Sequence, residues 1–285
     1  MRRSSRPAIA GVLAAALASG CASDFLPASY LNDLRVLAIL AEPLEVGPGQ
    51  AVTLRAALYV PPGATVTSTT WTFCPVSAGS VAAYACAVPQ CQVELVPAGD
   101  GSVTANPSDL ALQCLAAAGG GAPPTALPEV VQTVFRLQVE TDQRQRREAV
   151  LQVPLHPAGA PPDPNLPPTI RSVEIGGVAV YPPPGSAPPG LEPGGTLPVH
   201  VLVDPASAQP YLDAAGLARV ETITVSYFTT AGRFADDRST GLDVSGDLQG
   251  TDLGPADVSA DVWVAVRDLR GGQALAGPFR VAIGP

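Results

Sequence analysis

Short segments in which apolar and polar residues alternate recur along the whole chain. In the segment 51–60 the apolar side chains occupy every second position, while Thr53, Arg55 and Tyr59 point to the other side. Alternation with a period of two is typical of a strand that is buried on one face only. Comparable segments, separated by turns rich in Gly and Pro, lie at 34–39, 67–73, 131–139, 149–155, 170–180, 197–204, 222–230, 260–267 and 279–283. The sequence therefore predicts an all-β fold built from sandwiches.

The same alternation assigns individual side chains to the core. The inward positions are Val131, Thr133, Phe135, Leu137, Val139, Val199, Val201, Val203, Ile223, Val225, Tyr227, Val262, Val264 and Val266. Trp71 lies in a central strand and is predicted to be a core residue. Trp263 has the opposite register, so it points outward, where it either packs under a loop or contacts a partner.

A proline-rich stretch divides the chain. Residues 157–168, PAGAPPDPNLPP, contain six prolines in twelve positions, which is typical of a semi-rigid polyproline linker. We place one domain at 34–156 and a second at 169–285. Each is long enough to form a sandwich with its own core.

The N-terminus has the three parts of a secretory signal. Arg2, Arg3 and Arg6 precede an apolar run from Ala8 to Leu17, and small residues follow up to Cys21. The run is too short to span a bilayer. Leu17-Ala18-Ser19-Gly20-Cys21 resembles the lipobox of bacterial lipoproteins.

This resemblance implies removal of residues 1–20, acylation of Cys21 with chains such as palmitate, and a lipidated tether over 21–33. Ala22, rather than Asp, favours the outer membrane by analogy with lipoprotein sorting. An ordinary cleaved signal that ends near Cys21 is the alternative.

Charge limits the classes of partner. The formal net charge is −9, and removal of the three signal-peptide arginines takes it from −9 to −12. An anionic surface argues against nucleic acid and against electrostatic docking on anionic lipid. No second run of about 20 apolar residues occurs, so the predicted membrane attachment is the N-terminal lipid.

Four cysteines lie within one segment of the first domain. Cys74, Cys86, Cys91 and Cys114 are even in number in an exported chain, which favours disulfides. Zinc is the rival interpretation, but there is no CxxC pair and neither histidine is nearby. The preferred pairing is Cys74–Cys86 with Cys91–Cys114, and the alternative is Cys86–Cys91 with Cys74–Cys114. The cysteines brace an insertion at 75–128.

The insertion contains a predicted helix. Asn106 is a suitable N-cap, Pro107 suits the first helical position, and Asp109 lies in the first turn. Three glycines at 119–121 would end the helix. Its predicted apolar side consists of Leu110, Leu112, Cys114 and Leu115.

Four short patches carry a resemblance to a family. RVLAILAEP at 35–43 and WTFCP at 71–75 resemble lipoproteins of gliding Gram-negative soil bacteria. NLPPTI at 165–170 and VAVRDLRGG at 264–272 look like the first and penultimate strands of Ig-like modules of the PKD or cadherin-like kind. The resemblance implies two Ig-like sandwiches in tandem and carries no catalytic residues. Leu269 departs from the pattern, because such modules usually have Gly there.

No arrangement of residues indicates an active site. His156 and His200 lack a nucleophile motif around them and are interpreted as surface residues. Asp243-x-Ser245-x-Asp247 offers only a fragment of a calcium loop, so calcium is a weak alternative to solvated acidic residues. We predict no enzyme activity, no metal site and no cofactor.

Two functions remain open. The first is a non-enzymatic envelope lipoprotein whose Ig-like modules bind or space something at the cell surface, with an envelope protein or a glycan as partner. The braced insertion is then the candidate binding surface, because a braced loop loses little entropy on binding. The second is an accessory or structural subunit of an envelope or secretion assembly.

Overall fold

A computed structural model describes residues 27–118, 129–159, 161, 163–183, 185–213, 215–251, 253–254 and 258–284. The strands are β1 Arg35–Glu42, β2 Val52–Tyr59, β3 Val66–Cys74, β4 Val93–Leu95, β5 Val103–Ala105, β6 Val131–Thr141, β7 Arg146–Leu155, β8 Ile170–Ile175, β9 Val178–Tyr181, β10 Thr196–Val203, β11 Pro210–Leu212, β12 Ala218–Val220, β13 Thr224–Thr229, β14 Arg233–Phe234, β15 Arg238–Thr240, β16 Asp243–Gln249, β17 Ser259–Arg267 and β18 Gln273–Ala282. The helix α1 spans Pro107–Ala118. The predicted all-β fold is confirmed.

The N-terminal sandwich, residues 34–156, packs a three-stranded sheet against a four-stranded one. The strand orders are β1-β2-β5 and β4-β3-β6-β7. The inward positions of β6 fill the core as the alternation predicts: Phe135, Leu137 and Val139 are completely buried. Trp71 is also completely buried, and its indole nitrogen donates to the carbonyl of Gly101 at 3.2 Å. An aromatic residue is tolerated there because this polar atom has a partner.

The insertion is part of the sandwich as well as an appendage to it. Its strand β5 pairs with β2, and its strand β4 pairs with β3, so it extends both sheets. The disulfides are Cys74–Cys86 and Cys91–Cys114, with Cα–Cα distances of 5.6 and 5.1 Å. The preferred pairing is therefore confirmed, and the second disulfide ties the helix to the chain beside β4.

The helix begins as predicted but faces the core differently. The side-chain oxygen of Asn106 accepts from the Asp109 amide at 3.3 Å, which satisfies one of the free N–H groups of the first turn. Ala111 and Cys114 are buried, whereas Leu112 is 53% exposed. The predicted apolar side was wrong at Leu112, because a residue two positions before Cys114 lies on the opposite side of a 3.6-residue turn. The predicted glycine stop at 119–121 lies outside the described residues.

The C-terminal sandwich, residues 169–284, has a five-stranded and a four-stranded sheet. The orders are β14-β16-β10-β8-β9 and β15-β13-β17-β18, and β11 and β12 form a separate hairpin. The valines of β10 and β17 that the alternation placed inward are completely buried. Tyr227 stacks on Phe234 in this core, with ring centroids 5.1 Å apart. Gly246 leaves room for that ring, since a Cβ there would lie 2.8 Å from it.

Residues 27–34, the strap, run along the C-terminal sandwich before the chain enters β1. Tyr30 forms a parallel bridge with Thr229, and the amide of Leu31 donates to the carbonyl of Thr229 at 2.8 Å. Leu31 is 1% exposed. The sequence predicts a tether over 21–33, and residues 27–33 of it lie packed against folded chain.

The two sandwiches meet across the outer face of β13 and β17. Trp263 points outward, as predicted, but it is covered by Leu31, Leu37 and Tyr59. The rings of Tyr59 and Trp263 meet edge to face at 5.7 Å, a favourable aromatic geometry. Of the two interpretations left open for Trp263, the structure shows packing within the chain.

Polar contacts cross the same interface. The Arg267 guanidinium donates to the carbonyl of Leu37 at 2.7 Å, and the Ile39 amide donates to the side chain of Gln273 at 3.3 Å. At the end of the proline-rich stretch, Asn165 is 3% exposed and donates to the Asp268 carboxylate at 3.1 Å. The connection between the sandwiches is therefore tied to the C-terminal sandwich rather than free in solvent.

Candidate functional site

An exposed apolar feature of the insertion is the loop between Cys74 and Cys86, residues 75–86, here called the braced loop. Cys74–Cys86 closes its base, and the Ala78 amide donates to the carbonyl of Ala85 at 2.8 Å. The Arg136 guanidinium of β6 donates to the carbonyl of Ala83 at 2.8 Å. These contacts hold the loop in one conformation at the end of β3.

The tip of the braced loop presents apolar side chains to solvent. Val81 is fully exposed and Val76 is 43% exposed. Ala83 and Tyr84 have φ values of 50° and 57°, a left-handed conformation that costs free energy for residues other than Gly. No charged residue occurs from 75 to 93. A fixed, uncharged and apolar tip is a suitable contact for a partner and offers no group for chemistry.

A second feature is the interdomain cleft, built around Arg270 in the turn between β17 and β18. Its guanidinium donates to Glu221 at 2.6 Å and to Glu45 at 3.1 Å. The same group lies over the ring of Tyr211, 4.7 Å from the centroid. Glu45 belongs to the N-terminal sandwich and Glu221 to the C-terminal one, so Arg270 joins the two.

Burial governs the electrostatics of the cleft. The side chain of Glu221 is 0% exposed. Burial raises the pKa of Glu221, and the hydrogen bonds from Arg270 and from the Gln209 amide oppose that rise. His156 lies 3.5 Å from Glu45 and is 17% exposed, so the prediction of a surface histidine was wrong. His156 lies in the wall of this cleft, where Tyr211 and Arg270 are among the other lining residues.

The cleft has room for a ligand above this cluster. Adjoining pockets of about 660 and 900 Å³ share Glu45, His156 and Arg270 in their walls. Exposed Leu212 and Leu269 form part of the rim. Two carboxylates neutralise the charge of Arg270. The main role of this cluster is therefore to hold the two sandwiches together.

Other residues singled out in the sequence lie apart from these features. His200 is on the solvent face of β10 and bonds Asp243 at 2.6 Å. Asp243, Ser245 and Asp247 lie along strand β16, where residues two apart are about 7 Å from one another rather than convergent. Cys21 lies outside the described residues.

The described residues contain neither a cluster of metal ligands nor a membrane-spanning helix. Within those ranges no group of three or more His, Cys, Asp or Glu side chains could hold a metal ion. In the same ranges no helix is long and apolar enough to cross a bilayer.

Sequence reasoning missed Glu45, Glu221 and Arg270 as a cluster. They are 176 and 49 positions apart in the chain, and in the sequence Arg270 stood out only as part of the patch at 264–272. The available signal was weak: single charged residues beside strands that are otherwise poor in charge.

Comparisons with known proteins found weak similarity to solved structures alone. No family model and no curated protein matches the chain. Among solved structures, the D00-D0 domain of intimin is similar with a TM-score of 0.26 and 9% identity, over 89% of this chain and 99% of that one. Murine CEACAM1b has a TM-score of 0.24 and 8% identity, over 88% and 100%.

A third similar structure is bacterial. A DUF3823 family protein from Bacteroides ovatus has a TM-score of 0.24 and 10% identity, over 86% of this chain and 98% of that one. None of these similarities says what this chain binds.

Proposed function

We propose that the protein is a non-enzymatic envelope lipoprotein, anchored through acylated Cys21 in the outer membrane, that presents the braced loop to a partner. The observation that carries the proposal is the braced loop itself, an apolar tip held by a disulfide and by Arg136. Surface loops on rigid scaffolds are common binding sites, and a loop already held in its bound shape loses little entropy.

The placement of the loop relative to the anchor supports this function. Cys21 is six residues before Pro27, so the chain between them reaches at most about 20 Å. The strap then meets the β6–β7 hairpin, where the Leu34 amide donates to Gln145 at 2.6 Å. The first residues of β3 lie beside this hairpin. The braced loop follows the last residue of β3, about 26 Å away along the strand. The braced loop therefore lies at the opposite end of this sheet from Leu34, where the strap ends.

The packing of the sandwiches supports a spacing role. The strap, Trp263 and the Arg270 cluster connect the two sandwiches without relying on the proline-rich stretch. A mechanical force applied at the braced loop would be transmitted through buried contacts to the N-terminal anchor.

One experiment tests the anchor and the loop separately. The wild-type protein, a Cys21→Ser variant and a Val81→Asp variant are purified from their own envelope under mild crosslinking, and the bound components are identified. Cys21→Ser should abolish partitioning into detergent. Val81→Asp should keep the anchor and lose the partner. Val258→Asp, at a 76% exposed valine of the C-terminal sandwich, is the matched control.

The outcomes separate the two functions that the sequence left open. A glycan or a single surface protein that depends on Val81 supports the binding role. A multiprotein assembly that persists in Val81→Asp supports the alternative of an accessory subunit. A Cys21→Ser protein that still enters the detergent phase contradicts the anchor.

A further inference from the structure

A pocket of about 330 Å³ lies where the strap and the start of β1 cross the outer face of β13 and β15. Three arginines line it: Arg35 from β1, Arg238 from β15 and Arg267 from β17. Asp237 is the acidic residue among the lining residues that the structure describes, so the pocket has a formal charge of about +2. This is a local reversal of sign in a chain whose net charge is −9.

Arg267 is the deepest of the three, and its hydrogen bonds go to neutral atoms. It donates to the Ser226 hydroxyl at 3.2 Å and to the carbonyl of Leu37 at 2.7 Å. Burial lowers the pKa of Arg267, and the charge of Arg238 lowers it further. A guanidinium removed from water is normally balanced by an anion.

The other two arginines are also without a carboxylate partner among the described residues. Arg35 donates to the carbonyl of Ala28 at 2.6 Å. Arg238 lies directly across from Ser226 in the sheet and is exposed. Elsewhere in the described chain the usual arrangement is an ion pair: Arg136, Arg146, Arg147, Arg171, Arg219, Arg270 and Arg280 each have one within 4 Å.

A buried hydroxyl borders the same pocket. Ser29 of the strap lines it, is 1% exposed, and its side-chain oxygen has no hydrogen-bond partner. A buried polar atom without a partner costs free energy unless something fills the gap. Because this oxygen is closed to solvent, a ligand in the pocket would meet the arginine charges rather than the Ser29 hydroxyl.

We infer that this pocket binds a small oxyanion, specifically the phosphate group of a phosphate ester. Guanidinium groups match phosphate geometry with paired N–H donors. The pocket has room for a phosphate and a few further atoms. Because Ala28 and Ser29 lie eight residues or fewer from Cys21, the phosphate can come from a lipid headgroup or from a soluble molecule.

Equilibrium dialysis with radiolabelled inorganic phosphate, at fixed ionic strength, tests the inference. The full chain is held in dodecyl maltoside micelles, which contain no phosphate. Saturable binding is expected for the wild type, and Arg238→Gln should weaken it about tenfold, since a charge-assisted hydrogen bond is lost. Arg238 is exposed, so this substitution should leave the fold intact. Arg171→Gln removes the same charge from the other sheet of the C-terminal sandwich and should leave binding unchanged.

The source of the phosphate is decided by changing the lipid. If the ligand is a headgroup, adding phosphatidylglycerol to the micelles lowers the apparent affinity for inorganic phosphate. If the ligand is soluble, the affinity stays the same and glycerol phosphate competes. Absence of saturable binding up to about 10 mM phosphate, or equal binding by Arg238→Gln and Arg171→Gln, overturns the inference. Neither result depends on what the braced loop contacts.

Discussion

The C-terminal sandwich has two outward faces that follow the same strand periodicity and meet different surroundings. On the five-stranded sheet the outward side chains include His200 and Asp243, which are open to solvent. On the four-stranded sheet they include Ser226 and Trp263, at 5% and 8% exposure. Alternation therefore identifies the inward face of a strand. It does not show whether the outward face contacts water or another part of the chain.

Composition carries a partial signal of that difference. The open face has charged residues that would be costly to bury. The covered face of β13 and β17 has Thr224, Ser226, Trp263 and Ala265, which are small or apolar. These four residues can lie under the strap and β1 without leaving a charge unpaired; Arg267, on the same face, is the exception.

Removal of Trp263 should have the largest effect on this comparison. We expect Trp263→Ala to lower the free energy of unfolding by about 3 kcal/mol, because it empties the contact between Leu31, Leu37 and Tyr59. Denaturant unfolding followed by circular dichroism measures it. His200→Ala, on the open face, should change stability by less than about 0.5 kcal/mol. Equal losses would contradict the distinction between the faces.

The Arg270 cluster is the next test. We expect Arg270→Met to cost about 2 kcal/mol, because Glu45 and Glu221 remain buried without a counter-charge. The matched control is Arg280→Met, whose ion pair with Asp261 is mostly exposed and should be worth less than about 0.5 kcal/mol. Adding Glu221→Gln to Arg270→Met should restore part of the loss. No recovery would mean that Arg270 acts by packing alone.

The pH dependence of stability should differ in sign between a covered and an open carboxylate. Burial raises the pKa of Glu221, so its contribution is complete below the unfolded value near 4.5 and is lost as the pH rises through the raised pKa. A hydrogen bond from Arg146 lowers the pKa of Glu148, desolvation partly opposes this effect, and a hydrogen bond from Arg136 adds to the lowering. Its contribution is present above 4.5 and is lost as the pH falls.

Unfolding measured across this pH range for Glu221→Gln and Glu148→Gln tests the signs. The stability of Glu221→Gln relative to the wild type should improve with rising pH. That of Glu148→Gln should improve with falling pH. Parallel profiles would show that Glu221 is not controlled by burial.

The smallest effect concerns the turn that carries Arg270. Leu269 has φ of 64° and is 68% exposed. We expect Leu269→Gly to stabilise the protein by about 0.5 kcal/mol, because relief of the left-handed strain slightly exceeds the entropy that Gly adds to the unfolded chain. Leu212→Gly, at an equally exposed leucine of strand β11, should destabilise it. The thermal midpoints of the two variants decide the point.

Much of the fold follows from local pattern. The strand periods around Leu137 and Val201 predict which side chains are buried, and Asn106 with Pro107 predicts where the helix begins. The preferred pairing of Cys91 with Cys114 is also confirmed. These succeeded because periodicity, capping and short loop closure act over few residues.

The candidate sites were harder to predict. The braced loop was expected from its cysteines, but the apolar tip at Val81 depends on the turn of the loop, which has left-handed residues other than glycine. His156 appeared to be a surface residue because nothing near it in sequence covers it. Contacts between residues such as Glu45 and Arg270 leave no local trace.

The sequence by itself determined the all-β class, the inward face of each main strand, the helix start and the even set of cysteines. Only the tertiary structure decided that the strap lies on the C-terminal sandwich, that Trp263 is covered by Tyr59, and that Arg35, Arg238 and Arg267 share one pocket. The physical reason is range. Alternation and capping are set by neighbours within a few residues, whereas the covering of an outward face depends on how two finished sandwiches fit together.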